Sequence, residues 1–158
     1  MYADKQKEVE AGTLGEIITL TIFYNEYVLK GHVDRDLGRQ TQIVFTKQDP
    51  YADMDYAMLD MLLPPPPKIV AYVEVKDRYI SSEDYRDMVC PTRKAEFASC
   101  VEQPCYMVQR YTDSAWLINL KTAKPFKQQY LRRLDADIRG DRENILHNYY
   151  SLSDAIRL

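Results

Sequence analysis

"KIVAYVEVKDRY", residues 68–79, decides how this chain is read. Ile69, Val70, Ala71, Tyr72, Val73 and Val75 make a buried strand, yet Glu74 and Lys76 interrupt the apolar run. Side chains at i and i+2 of a pleated strand leave from the same face, so Glu74 and Lys76 point together to one side while Val73 and Val75 point to the other. That side is either wet or a site.

Upstream, four consecutive prolines, Pro64 to Pro67, precede the strand. Lacking amide hydrogens they cannot extend a ladder, and they read as a stiff connector between strands. Before them "ADMDYAMLDMLL", residues 52–63, reads as a second strand, with Asp53, Asp55, Ala57 and Leu59 on one face and Met54, Tyr56 and Met58 on the other. "TQIVFTK", residues 41–47, is the first strand; the turn signal "QDP" ends it, and a polar loop with Asp34, Asp36 and Gly38 leads into it. From about Asp4 to Lys30 the spacing predicts a helix closed by Gly31. On that helix Glu16 shares a stripe with Leu20, Phe23 and Tyr27, an acid on an apolar face.

Downstream, "ISSEDYRDMVCP", residues 80–91, reads as a loop or short helix. "TRKAEFASCVEQ", residues 92–103, has a Thr start and helical spacing of Ala95, Phe97, Ala98 and Val101, and Pro104 ends it. "CYMVQRY" and "AWLINLKT" are two further strands around the turn "TDS", and a basic, aromatic, helical tail begins near Pro125. The expected fold is α/β: helix, three strands, helix, two strands, helical tail.

The chain has 158 residues, enough for one domain with its own core, and 46% of them are hydrophobic. No apolar run approaches the ~20 residues that a membrane span needs, and "MYADKQKEVE" lacks the basic and apolar regions of a signal peptide. An intracellular, cytoplasmic protein with no membrane partner is the expectation. Cys90, Cys100 and Cys105 have no C-x-x-C spacing and lie far from His32 and His147, which argues against structural zinc or a disulfide framework and for reduced thiols. A net charge of −3 argues against coating nucleic acid by bulk attraction. Charge is uneven, however: acids crowd the first third, while the tail carries Lys121, Lys124, Lys127, Arg132, Arg133, Arg139 and Arg142. Such a tail is ordinarily a solvated face; alternatively it tracks a phosphate backbone, with Tyr130, Tyr149 and Tyr150 as stacking surfaces.

Taken alone, E-x-K is a pattern that chance supplies, and an exposed Glu–Lys pair is worth little. Its neighbours give it weight. Phosphodiester hydrolysis calls for a divalent cation held by carboxylates, a water in line, and positive charge where the transition state gathers negative charge. Asp55 on the second strand and Glu74 on the third can face each other across a hairpin as hard oxygen ligands suited to Mg²⁺ or Mn²⁺, with Lys76 beside them to orient the water.

Between about residues 12 and 121 the pattern resembles the PD-(D/E)XK nuclease superfamily, the restriction-endonuclease-like fold. Asp55 matches the metal-binding acid of its second strand, Glu74 and Lys76 match its E-x-K, and Glu16 in "GTLGEII" matches the glutamate that many members carry on the first helix, which implies Glu16 as a further metal ligand or holder of the water. The resemblance implies a metal-dependent endonuclease acting on DNA, with the Val75 carbonyl as a further metal ligand and Lys94 in "TRKAEF" as a helix lysine with a catalytic role. A lysine there is ordinarily a surface residue. No proline immediately precedes Asp55, and Asp53 shares its predicted face, so either acid is a candidate ligand. The iron–sulfur cofactor of some members is not carried over to three scattered cysteines. A single such site cuts one strand, so the resemblance also implies a homodimer. The alternative is a non-catalytic module that keeps the fold and binds nucleic acid or protein.

Overall fold

The computed structural model describes residues 2–33, 43–49, 52–61, 66–131 and 144–158, with residues 2–12 as helical backbone alone. Asp34, Asp36, Gly38, Pro64, Arg132, Arg133, Arg139 and Arg142 lie outside the described residues.

The quoted strand is the centre of the molecule. It is β3 (Lys68–Asp77), flanked in one six-stranded sheet by β2 (Tyr56–Asp60) and β5 (Cys105–Arg110). The order is completed by β1 (Ile43–Lys47) outside β2, and by β6 (Ala115–Asn119) and β9 (Ile156–Arg157) outside β5. Among the described residues only the β3–β5 pair is parallel. A parallel pair needs a crossover. Here it runs through β4 (Asp87–Pro91) and helix α2 (Thr92–Cys100) on one side of the sheet. β4 then pairs with β8 (Ile145–Ser151), and β8 with β7 (Lys127–Leu131), in a second, antiparallel sheet.

Helix α1 (Tyr2–Phe23) covers the other side. It runs into a π-helical turn, Tyr24–Val28, where the Leu29 amide donates to the Tyr24 carbonyl, and it stops at Gly31, whose φ of 80° is open to glycine at little cost. The predicted stripe is the packed one: Leu20 and Phe23 are buried against Val73, Val75, Tyr106 and Val108, with Tyr27 alongside. Phe23 is wholly buried, and a side chain of that size contributes about 1.5–3 kcal/mol by leaving water. β3 is thus apolar toward α1 through Ala71, Val73 and Val75. Its opposite face looks toward a second cluster that includes Met54, Met88, Cys90, Ala98 and Met107.

The mixed α/β class holds, but the element order does not follow the expected one. Among the described residues it runs helix, four strands, helix, five strands. The segment read as loop or short helix contains β4, whose Met88, Val89, Cys90 and Pro91 are all buried; a run buried on both faces shows no alternation by which to find it. The tail read as helical is instead β7, β8, a short 3₁₀ turn at Leu152–Asp154, and β9. Ile145, Tyr149 and Tyr150 suit a half-buried strand, and their burial outweighs the surrounding charge. The second helix ends at Cys100 rather than 103, because Val101 is already extended ahead of Pro104. β2 is shorter than 52–63, starting at Tyr56.

Candidate active site

The β2–β3 ladder sets Tyr56 opposite Val73, and the next step of that register sets Asp55 opposite Glu74. Side-chain geometry agrees. The Asp55 amide donates to Glu74 Oε2 at 3.3 Å, and the Val75 amide donates to Asp55 Oδ2 at 3.0 Å. Asp55 is therefore held at the mouth of the hairpin with its carboxylate against the backbone of the E-x-K stretch. Its second oxygen, Oδ1, accepts no hydrogen bond from the described residues.

Two lysines close on Glu74, whose side chain is buried. Lys76 Nζ lies 3.3 Å from Oε1, and Lys94 Nζ lies 3.0 Å from Oε2. Lys94 comes from the first turn of α2, directly after the buried Cys90–Pro91 end of β4, which is why a helix lysine points inward here. Burial, and next the Glu74 charge, push the Asp55 carboxyl above its ordinary range, while the Val75 amide, Lys76 and Lys94 pull the other way. Burial and the same Glu74 charge push the thiol of Cys90, in the apolar cluster behind the site, up to about 12, which leaves it unreactive.

Glu16 reaches the same cleft from α1. Its Oε2 accepts from the Tyr56 hydroxyl at 2.5 Å and from Lys47 Nζ at 3.1 Å. Burial and the Glu16 bond raise the pKa of the Tyr56 phenol, so it stays a donor. Glu16 is positioned by its neighbour: a Cβ at Gly15 would run into the Asp77 carboxylate, so only glycine lets α1 approach β3 this closely.

Glu16, Asp55, Glu74, Lys76 and Lys94 all line one polar cleft of about 320 Å³. Asp53 is not among its lining residues, and Asp55 is the acid that meets Glu74. Lys47 and Arg93 also line it, two cations that no motif singled out. Tyr149 and Tyr150 are buried and offer no stacking surface, whereas Tyr130 is exposed. A larger hollow of about 410 Å³ between α1 and β1 is lined by Ile17, Leu20, Tyr24 and Phe45 and carries no acid or base.

The donor set suits a hard divalent cation in chemistry: two carboxylates brought together against burial, with the strain on Asp55 in the direction that a positive ion relieves. It is a lean set. Among the described residues no three acid, histidine or cysteine side chains converge on one point, and Glu16 is engaged with Tyr56 and Lys47 rather than with Asp55 and Glu74. Among the described residues no helix is long and apolar enough to cross a membrane. No family model, curated protein or solved structure matches the chain, so the chemistry of the cleft carries the functional reading.

Proposed function

We propose that this chain is a metal-dependent nuclease of the PD-(D/E)XK type, a restriction-endonuclease-like fold that hydrolyses phosphodiester bonds in DNA with Mg²⁺ or Mn²⁺. The observation that carries the reading is the meeting of Asp55, Glu74, Lys76 and Lys94 in one cleft from three separate elements. Asp55, Glu74 and the Val75 carbonyl would hold the ion. When bound, it supplies Lewis acidity and a water of lowered pKa.

The remaining work belongs to side chains. Lys76 is the partner able to leave Glu74, since its side chain is 29% exposed against 6% for Lys94. Once released, its ammonium orients the attacking water and steadies the charge that gathers on the phosphoryl oxygens. Lys94 stays behind as the counter-charge that keeps Glu74 in place. Glu16 acts as auxiliary base through Oε1, because Tyr56 and Lys47 both occupy Oε2.

A second reading draws on a specific feature: both Glu74 oxygens are already paired with lysines, a closed cluster that needs no metal. On that reading the chain is a non-catalytic module that keeps the fold and binds nucleic acid or protein. Plasmid and single-stranded DNA incubated with Mg²⁺ or Mn²⁺ separate the two. Cutting by the wild type that is lost in Lys76→Ala and in Asp55→Ala removes the second reading. Calorimetry in which neither metal binds removes the first.

A further inference from the structure

We propose that Arg93 is a phosphate grip: its guanidinium binds one backbone phosphate of the DNA strand that enters the cleft. The inference rests on the nuclease reading and extends it to a residue that the resemblance does not assign.

Four cationic side chains line the cleft, Lys47, Lys76, Arg93 and Lys94. Three are committed to carboxylates, Lys47 to Glu16 at 3.1 Å, Lys76 to Glu74 at 3.3 Å and Lys94 to Glu74 at 3.0 Å. Arg93 is different. It makes no hydrogen bond or ion pair with any described residue, and its Nε is shut off from solvent without an acceptor. A buried donor left unmet is a standing cost that folding normally removes, and a guanidinium loses more than most groups by it. The backbone beneath it cannot drift to relieve that cost, because the preceding Pro91 is fixed in β4 against His147 and the following Lys94 is pinned to Glu74.

With Nε closed to solvent, it is the terminal nitrogens of this cleft-lining guanidinium that an incoming anion can meet, and they stand side by side. A phosphate presents two oxygens at that spacing, and arginine rather than lysine matches it. The cleft is polar, and the acids that would hold the metal lie on the same wall system, so the gripped phosphate is one close to the scissile bond.

The test uses the full chain and a short duplex in EDTA, with binding read by fluorescence anisotropy against salt. Arg93→Gln is expected to bind roughly tenfold more weakly, the loss of a charged hydrogen bond, and to lower the salt slope by about one. Duplexes carrying a single methylphosphonate supply the decisive reading. One position should weaken the wild type and leave Arg93→Gln unaffected, which a merely structural role would not produce. Arg93→Lys, which keeps the charge without the fork, should fall between the two, and it carries the scan if the glutamine variant does not fold. Should the wild type cut DNA in Mg²⁺ while both variants match its affinity, salt slope and methylphosphonate pattern, the phosphate grip is wrong and the nuclease reading stands. A wild type that neither binds nor cuts DNA overturns both.

Discussion

Lys94 Nζ sits 3.0 Å from Glu74 Oε2 with both side chains buried, an ion pair assembled from the first turn of α2 and the middle of β3. Removing one partner of a buried pair strands a charge in a poorly solvated place and costs about 3–5 kcal/mol, whereas replacing both with apolar groups is often neutral. Lys76 still touches the other Glu74 oxygen, so Lys94→Ala should fall at the lower end, near 3 kcal/mol by urea denaturation. The double variant Lys94→Met with Glu74→Leu should be more stable than Lys94→Ala but short of the wild type, because Lys76 and the Asp55 amide lose their acceptor, and it should cut no DNA. A cost well under 1 kcal/mol for Lys94→Ala would mean that water reaches the pair.

Asp55 gives the site its pH dependence. Its folded-state pKa stands above 3.8, by burial first and the Glu74 charge second. A carboxyl raised in the folded state holds its proton there more tightly than in the unfolded chain, so stability falls as pH rises from 3.8 through the folded-state value and stays lower beyond it. Asp55→Asn keeps an oxygen for the Val75 amide and cannot ionise. The variant should melt higher than the wild type at pH 7, with the difference shrinking to a constant residue below 3.8. Activity should drop by a hundredfold or more, on the order of what metal-ligand loss removes. Added Mg²⁺ should raise the wild-type melting point and leave that of Asp55→Asn unchanged.

The three cysteines offer a check on the packing around the site. Burial pushes Cys90 up to about 12 and Cys105 up to about 11, whereas Cys100 is exposed at the end of α2. At pH 8 a thiol reagent should therefore titrate one equivalent rapidly in the native protein, and all three in urea. Cys100→Ser should abolish the rapid phase. A second fast equivalent would show that the buried cluster holding Cys90 and Cys105 is open.

How much of this was readable beforehand follows from how far apart the determinants lie. That Glu74 and Lys76 share a face follows from the pleat alone, and Leu20, Phe23 and Tyr27 lie on one helix stripe, so both were legible. Asp55 against Glu74 was legible only as a choice with Asp53. The register shifts between Met58 and Leu59, and a proline run separates the strands, so residue counting does not reach the pairing. Lys94 looked like a surface lysine because its burial depends on β4, a strand hidden by its own two-sided burial. Tyr56 and Lys47 as holders of Glu16 depend on three elements packing together, which no single stretch announces. The C-terminal strands are hidden because the charge there suggests a solvated helix, whereas β8 and β9 are placed by partners, β4 and β6, far back in the chain.

Gly15 links the fold to the cleft most directly. An added Cβ would meet Asp77 Oδ2, and Asp77 cannot simply turn away, because Arg110 holds its carboxylate through Nε at 2.8 Å and Nη2 at 3.1 Å. In an open helix Gly→Ala gains about 1 kcal/mol; here the clash should outweigh that gain and leave Gly15→Ala about 1–3 kcal/mol less stable. The same shift of α1 moves the adjacent Glu16 away from Tyr56 and Lys47, so activity should fall toward that of Glu16→Gln even at temperatures where the variant is folded. Asp77→Ala removes the obstacle. In the double variant Gly15→Ala with Asp77→Ala, the two costs should fail to add: activity should return toward that of Asp77→Ala alone, and most of the Gly15→Ala penalty should disappear. If instead the two penalties sum, α1 does not approach β3 at Gly15, and Glu16 owes its place in the cleft to something else.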